Sequence, residues 1–306
     1  MRYALGLLVL SLVLAICLPA QGPFAWKDLG DGRIELREAG KLALVYNYGP
    51  QLKPGAPENK RRCCYFFPVL TPAEVSMLDD FPTDHWHHRG LFWSWPIVET
   101  GGQRYDIWMN FTAKHRTVKS PVVTAGKDAN FTVENVWEAG GKDIVRENVK
   151  VRVLPTEGTS RELDLELTWE AIGVPVTLQG SAERGKSYGG LSTRFAPRQG
   201  TVLRADGVAL TRDEDLVPHQ WAEMEGVYGG KRAVLRITSD EKNPGAPYQW
   251  CLRATTSQPS QKDLGDGRYG FIGASFPGRT EAVSSHTLEP GRPWTVKFRV
   301  RLTDLP

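Results

Sequence analysis

The chain has 306 residues, 41% of them hydrophobic and 24% charged. That is an ordinary globular composition, long enough for one large β domain or two smaller ones. A net charge of +3, with Lys60-Arg61-Arg62 as the densest basic cluster, excludes the long basic patches of nucleic-acid binders.

The chain opens on a targeting pattern. Met1-Arg2 is a short positive start, Leu5 to Leu18 is an almost unbroken apolar run, and Pro19-Ala20-Gln21 follows. A run of this length reads as a secretory signal rather than a membrane span, with cleavage expected after Ala20. Residues 1–20 are thus expected to be removed and 21–306 to form one β-sandwich domain. The mature chain has no further span, and is expected to be secreted or periplasmic. Of the four cysteines, Cys63, Cys64 and Cys251 remain after cleavage. An odd count leaves at least one thiol unpaired, and a bridge from Cys63 or Cys64 to Cys251 stays open.

Lys27 to Arg33 repeats as Lys262 to Arg268, which reads as two similar hairpin turns. The Pro-rich stretch Leu52 to Lys60 reads as a loop. Next comes the densest functional signal, Asp84-His85-Trp86-His87-His88-Arg89-Gly90, with three of the six histidines. Imidazole is the commonest protein metal ligand and titrates near neutral pH. In an extended segment His85 and His87 point to one face and His88 to the other. That pair suits a divalent metal or a sugar. A catalytic zinc needs a third protein ligand, for which His219, His286, Glu223 and Asp106 are candidates. Arg89 suits a carboxylate clamp or a structural ion pair. Trp93, Trp95 and Trp108 are candidates for stacking on sugar rings, or for the core. His115, between Lys114 and Arg116, reads as surface.

The remaining chain is β in pattern. Lys142 to Leu154, Arg161 to Trp169, Ala233 to Ile237 and Trp294 to Leu302 alternate polar with apolar residues. Asp31-Gly32, Gly140-Gly141, Asp206-Gly207, Gly229-Gly230 and Asp266-Gly267 mark turns between them. Short strands at this spacing predict an all-β, large antiparallel sandwich. Arg194 and His219 are further candidates for the walls of a site. No nucleophile elbow, phosphate loop or dinucleotide fingerprint is present.

Several segments together resemble one family. They are Tyr65 to Pro72, Asp84 to Phe92, Tyr105 to Trp108, Tyr188 to Pro197, and Leu288 to Gly291. The resemblance is to the secreted bacterial family labelled PmoA-like, or "methane oxygenase PmoA", a domain of unknown function. It implies a galactose mutarotase-like supersandwich. Relatives tend to carry histidine where this chain has Ser94 and Trp95, and again in the stretch Tyr248 to Arg253. The expected function is acid/base chemistry on a sugar (epimerisation, elimination or glycosidic cleavage) at His85, His87, His88 and Arg89. The ligand is expected to be a carbohydrate or another small molecule, bound with the help of Trp93, Trp95, Asp106, Trp108, Arg194 and His219. A non-catalytic carbohydrate-binding module and a metal-dependent oxygenase with His85 and His87 as ligands are the alternatives. The oligomeric state is left open.

Overall fold

A computed structural model describes residues 22–181, 183, 188–254, 267–277 and 285–306. Residues 1–20, where a leader is expected, and most of the second copy of the repeated heptapeptide lie outside the described residues.

The alternating segments form strands. Arg161 to Trp169 lies within Ser160–Ala171, and Trp294 to Leu302 within Trp294–Asp304. These two pair antiparallel with Leu163 opposite Val300, Leu165 opposite Phe298, and Leu167 opposite Val296. The apolar rows turn inward, each buried side chain contributing about 1.5–3 kcal/mol. The outward rows place Glu166 opposite Lys297 and Asp164 opposite Arg299, matching opposite charges across the ladder. Turn chemistry closes the hairpins. Gly140-Gly141 and Gly229-Gly230 have positive φ at both positions (57° and 73°; 56° and 83°), as a two-residue type I′ turn demands.

Among the described residues the strands form two large antiparallel sheets and a small one. The first runs Phe24–Asp28, Arg33–Glu38, Lys41–Asn47, Tyr65–Val69, Leu91–Ser94, Gly190–Arg194, Phe271–Ser275, Gln249–Arg253, Glu214–Pro218. The second runs Val208–Ala209, Gln199–Ala205, Trp221–Tyr228, Lys231–Ser239, Trp294–Asp304, Ser160–Ala171, Lys142–Val153, Ala129–Ala139, Ala113–Thr117, with Val122–Ala125 also on Ala129–Ala139. The small sheet joins His286–Leu288, Val176–Gln179, Ile97–Thr100 and Gln103–Tyr105. The large sheets face each other across one apolar core, as Tyr46 on Phe131 (4.7 Å between rings) and Phe66 on Phe131 (6.1 Å) show. The expected all-β antiparallel sandwich is therefore the fold. Among the described residues no helix is long and apolar enough to cross a membrane.

One carboxylate interrupts the inward row Val145, Glu147, Val149, Val151. Glu147 is fully buried. Its Oε2 accepts the indole N–H of Trp93 (2.7 Å), Trp169 (2.8 Å) and Trp137 (2.9 Å), and its Oε1 accepts from Asn135 (2.8 Å). Burial pushes this carboxyl up, and a polar group so deep in the core needs such partners. This corrects two expectations. Trp93 is committed to the core, and so is Trp95, which packs on Trp137 and Trp169 and donates to the Phe276 carbonyl. His115, read as surface, is buried against Trp137 with its ring 3.7 Å from Glu147. Cys63, Cys64 and Cys251 are free buried thiols.

Candidate functional site

The first sheet has a second apolar layer on its outer face. In each strand one residue turns to the core and its neighbour turns outward. Trp93 faces the core and Phe92 the outside; Trp250 and Leu252 face in, Cys251 out; Ile272 faces in, Phe271 out. Pairing aligns the outward residues in rows. Phe92 lies opposite Ser192, Ser192 opposite Gly273, and Gly273 opposite Cys251. In the next row Phe271 lies between Arg194 and Arg253.

A pocket of about 150 Å³ stands on this layer. Its described walls include His85, His87, His88, Trp108, Tyr188 and Arg253, with Cys251 and Phe271 at the floor. The histidine segment is not a strand. It forms two successive turns, in which the His85 N–H donates to the Pro82 carbonyl (3.0 Å) and the His88 N–H to the His85 carbonyl (2.8 Å). The expectation that His88 points away is therefore corrected. All three rings converge, with centroids 4.6 Å apart for His85–His88 and His87–His88, and 5.6 Å for His85–His87.

Arg89 explains why the turns hold. It is fully buried and donates to the carbonyls of Trp86 (2.9 Å), His88 (2.6 Å) and Lys60 (2.5 Å). Its guanidinium lies 3.4 Å over the Phe81 ring and 3.7 Å from Asp80. The expected catalytic or carboxylate-clamping Arg89 is thus a positioning residue, since it is fully buried and both its Nη atoms donate to backbone carbonyls. Gly90 follows because a Cβ there would stand 2.5 Å from the Phe66 carbonyl oxygen.

Asp84 holds His85, one of the lining residues, in place. Its Oδ2 lies 2.8 Å from His85 Nδ1, and Arg194 Nη2 donates to both carboxylate oxygens (2.9 and 2.8 Å). Burial pushes Asp84 up, but the bonds from His85 and Arg194 outweigh it and hold the carboxyl below its ordinary value. An ionised carboxylate only accepts, so Nδ1 carries a proton and Nε2 is the ring nitrogen left for a ligand. Burial, then the charges of His85, Lys60, Arg62 and Arg89, drive His87 down to about 2. Burial and the neighbouring imidazoles likewise drive His88 far down. Both are neutral rings at physiological pH, and His88 Nδ1 has no hydrogen-bond partner among the described residues. Burial pushes Tyr188 up, which keeps its hydroxyl protonated.

Other expected residues fall elsewhere. Asp106 accepts the Met109 N–H (2.7 Å) and so shapes the turn that carries Trp108. Trp108 does line the pocket, packed on Tyr188 (4.7 Å) and Phe92 (5.3 Å). Arg194 acts through Asp84 and lies over Tyr269 (4.3 Å). His219 is not in the pocket, because Asp206 (3.0 Å) and Glu214 (2.9 Å) hold both its ring nitrogens at another part of the fold. Glu223 pairs with Arg204 and Arg236, and His286 stacks on Trp294. The sequence reading missed Tyr188, Cys251, Arg253, Tyr269 and Phe271. Their signal was the alternation within their strands or their neighbours, but which face carries a site follows only from the sheet order.

A metal fits this set poorly. Among the described residues no three His, Cys, Asp or Glu side chains are placed to hold an ion. His85 and His88 stack nearly parallel (15°), so their in-plane lone pairs do not meet at a point about 2 Å from each, the zinc–nitrogen distance. His85 and His87, at 68°, supply two ligands where a catalytic zinc takes three.

The fold and site define an antiparallel β-sandwich with a histidine pocket on the outer face of one sheet. The chain belongs to a family of unknown function, DUF6807, whose model matches residues 33–305. No curated protein matches it. Among solved structures it is similar to a protein of Escherichia coli K12 provisionally named an aldose 1-epimerase (9% identity, 92% of this chain and 100% of that one, TM-score 0.37). It is also similar to the GalM/aldose epimerase homologue of C. elegans (10% identity, 94% of this chain and 100% of that one, TM-score 0.39). Scores this low carry no argument here, and the fold stands on the strands themselves.

Proposed function

We propose that this is an exported carbohydrate-active protein in which His85 transfers a proton to or from a bound sugar. The observation that carries the reading is the Asp84–His85 pair, whose imidazole lines a pocket together with two neutral imidazoles. Asp84 fixes the His85 tautomer and stabilises the imidazolium that forms, the role a carboxylate plays behind a catalytic histidine. His87 and His88 stay uncharged and bond sugar hydroxyls. Tyr188 supplies a protonated donor on the opposite wall, and Trp108 an aromatic face for a sugar ring.

Proton transfer of this kind serves epimerisation and elimination. Glycosidic cleavage usually takes two carboxylates. Among the described lining residues Glu183 is the one carboxylate, so isomerisation or elimination is favoured. A non-catalytic sugar-binding module is the second reading, favoured by the low titration of His87 and His88. The oxygenase reading attached to the PmoA-like label has two of three ligands and is set aside.

The test is an NMR screen of neutral and acidic sugars in D₂O. It follows anomer interconversion, deuterium uptake at carbon and appearance of unsaturated products, with wild type and His85→Gln. Turnover by wild type and its loss in the variant support the proposal. Saturable binding with no turnover supports the binding module instead.

A further inference from the structure

A second pocket, of about 270 Å³, lies where the strands Phe271–Ser275 and Gln249–Arg253 meet the start of Trp294–Asp304. The size is near the lower end of ligand pockets, about 300 Å³. Two stacked ring pairs build it: His286 on Trp294 (3.9 Å, 25°) and Tyr248 on Phe276 (4.9 Å, 27°). Among its described lining residues there is no Asp, Glu, Lys or Arg.

Three lining side chains hold buried polar atoms that lack a hydrogen-bond partner among the described residues: Trp294 Nε1, Ser275 Oγ and Gln249 Oε1. Trp294 is 8% exposed and Ser275 1%. Gln249 and Ser275 sit directly opposite each other in the ladder. An orphaned buried polar atom costs about 1–3 kcal/mol, so three around one pocket need an account.

We propose that this pocket is a second ligand site, for an uncharged pyranose. The chemistry is set by the three atoms. An indole N–H only donates, an amide oxygen only accepts, and a serine hydroxyl does either. A ligand must therefore offer both an acceptor and a donor on an otherwise apolar body. Adjacent hydroxyls on a pyranose do this, and its C–H face suits the aromatic walls. A proline-rich peptide also suits aromatic walls but offers no N–H at its prolines, the residues that pack on such walls, for Gln249. A charged sugar finds no counter-ion among the described lining residues.

The experiment titrates methyl glucopyranosides and methyl galactopyranosides into ¹⁵N-labelled protein and follows the Trp294 indole signal. That signal is assigned by its loss in Trp294→Phe and its displacement in His286→Ala. A saturable shift is expected with at least one of these sugars. Affinity should fall roughly tenfold in Gln249→Leu, the worth of one hydrogen bond. Ser275→Ala should show the same loss, which keeps the test decisive where one variant fails to fold. The shift should persist in His85→Gln, which separates this site from the histidine pocket and its proposed chemistry. The proposal is overturned by no shift with any of the sugars, by equal affinity in both variants, or by a shift with a proline-rich peptide in place of the sugars.

Discussion

Asp84 Oδ2 stands 2.8 Å from His85 Nδ1, and this contact decides what the histidine cluster can do. It orients one of the three rings through its Nδ1, while burial and nearby cationic groups hold the other two neutral. The contact predicts that Asp84→Asn lowers turnover by about 10²–10⁴-fold, the usual worth of a positioned acid/base. Ground-state sugar binding should change far less. Steady-state kinetics that separate kcat from KM check this.

His87→Gln is expected to behave differently. A neutral imidazole that bonds a sugar hydroxyl should be lost mainly in KM, by roughly tenfold for one bond. A pH–rate profile of the two variants distinguishes the roles.

Asp80 gives the protein a pH signature. Burial, opposed by Arg89 at 3.7 Å and the Tyr65 hydroxyl at 3.0 Å, raises its carboxyl to about 6. The folded state therefore binds this proton more tightly than the unfolded chain. Stability from this group is full below the unfolded value near 4 and is lost as pH rises to about 6. A shift of about two units corresponds to about 2–3 kcal/mol. Asp80→Asn should flatten that part of the stability curve, read from urea midpoints between these pH values.

The core makes a separate prediction. Glu147→Leu leaves three indole N–H groups and the Asn135 amide without their acceptor. At about 1–3 kcal/mol for each, the loss approaches the whole stability of a domain, about 5–15 kcal/mol. Failure to accumulate folded protein, or a large fall in urea midpoint, is expected. Glu147→Gln keeps one accepting oxygen and should be milder.

Chelation should leave turnover unchanged, because the stacked His85 and His88 do not share an ion. Metal analysis of wild type and His87→Ala before and after dialysis against EDTA checks this.

Much of the fold was legible in the sequence. The period-2 rows of Arg161 to Trp169 and Trp294 to Leu302, and the Gly-Gly hairpins, needed only local rules. The site was legible as a cluster but not as a geometry. An extended reading of residues 84–90 put His88 on the wrong side, because the turns are held by Arg89 reaching Lys60, a contact far away in sequence. Trp93 and Trp95 looked like ligand platforms because nothing local reveals Glu147 behind Trp93. Cys251, Arg253 and Phe271 were overlooked because their outward side becomes a pocket floor only once their strands lie beside the histidine turns.

The most direct test is the rate of sugar proton transfer in His85→Gln beside wild type, measured by NMR across the same sugar panel. The account predicts turnover of at least one sugar by wild type, and a loss of about 10²-fold or more in a variant that remains folded. Turnover that survives undiminished in His85→Gln would contradict it.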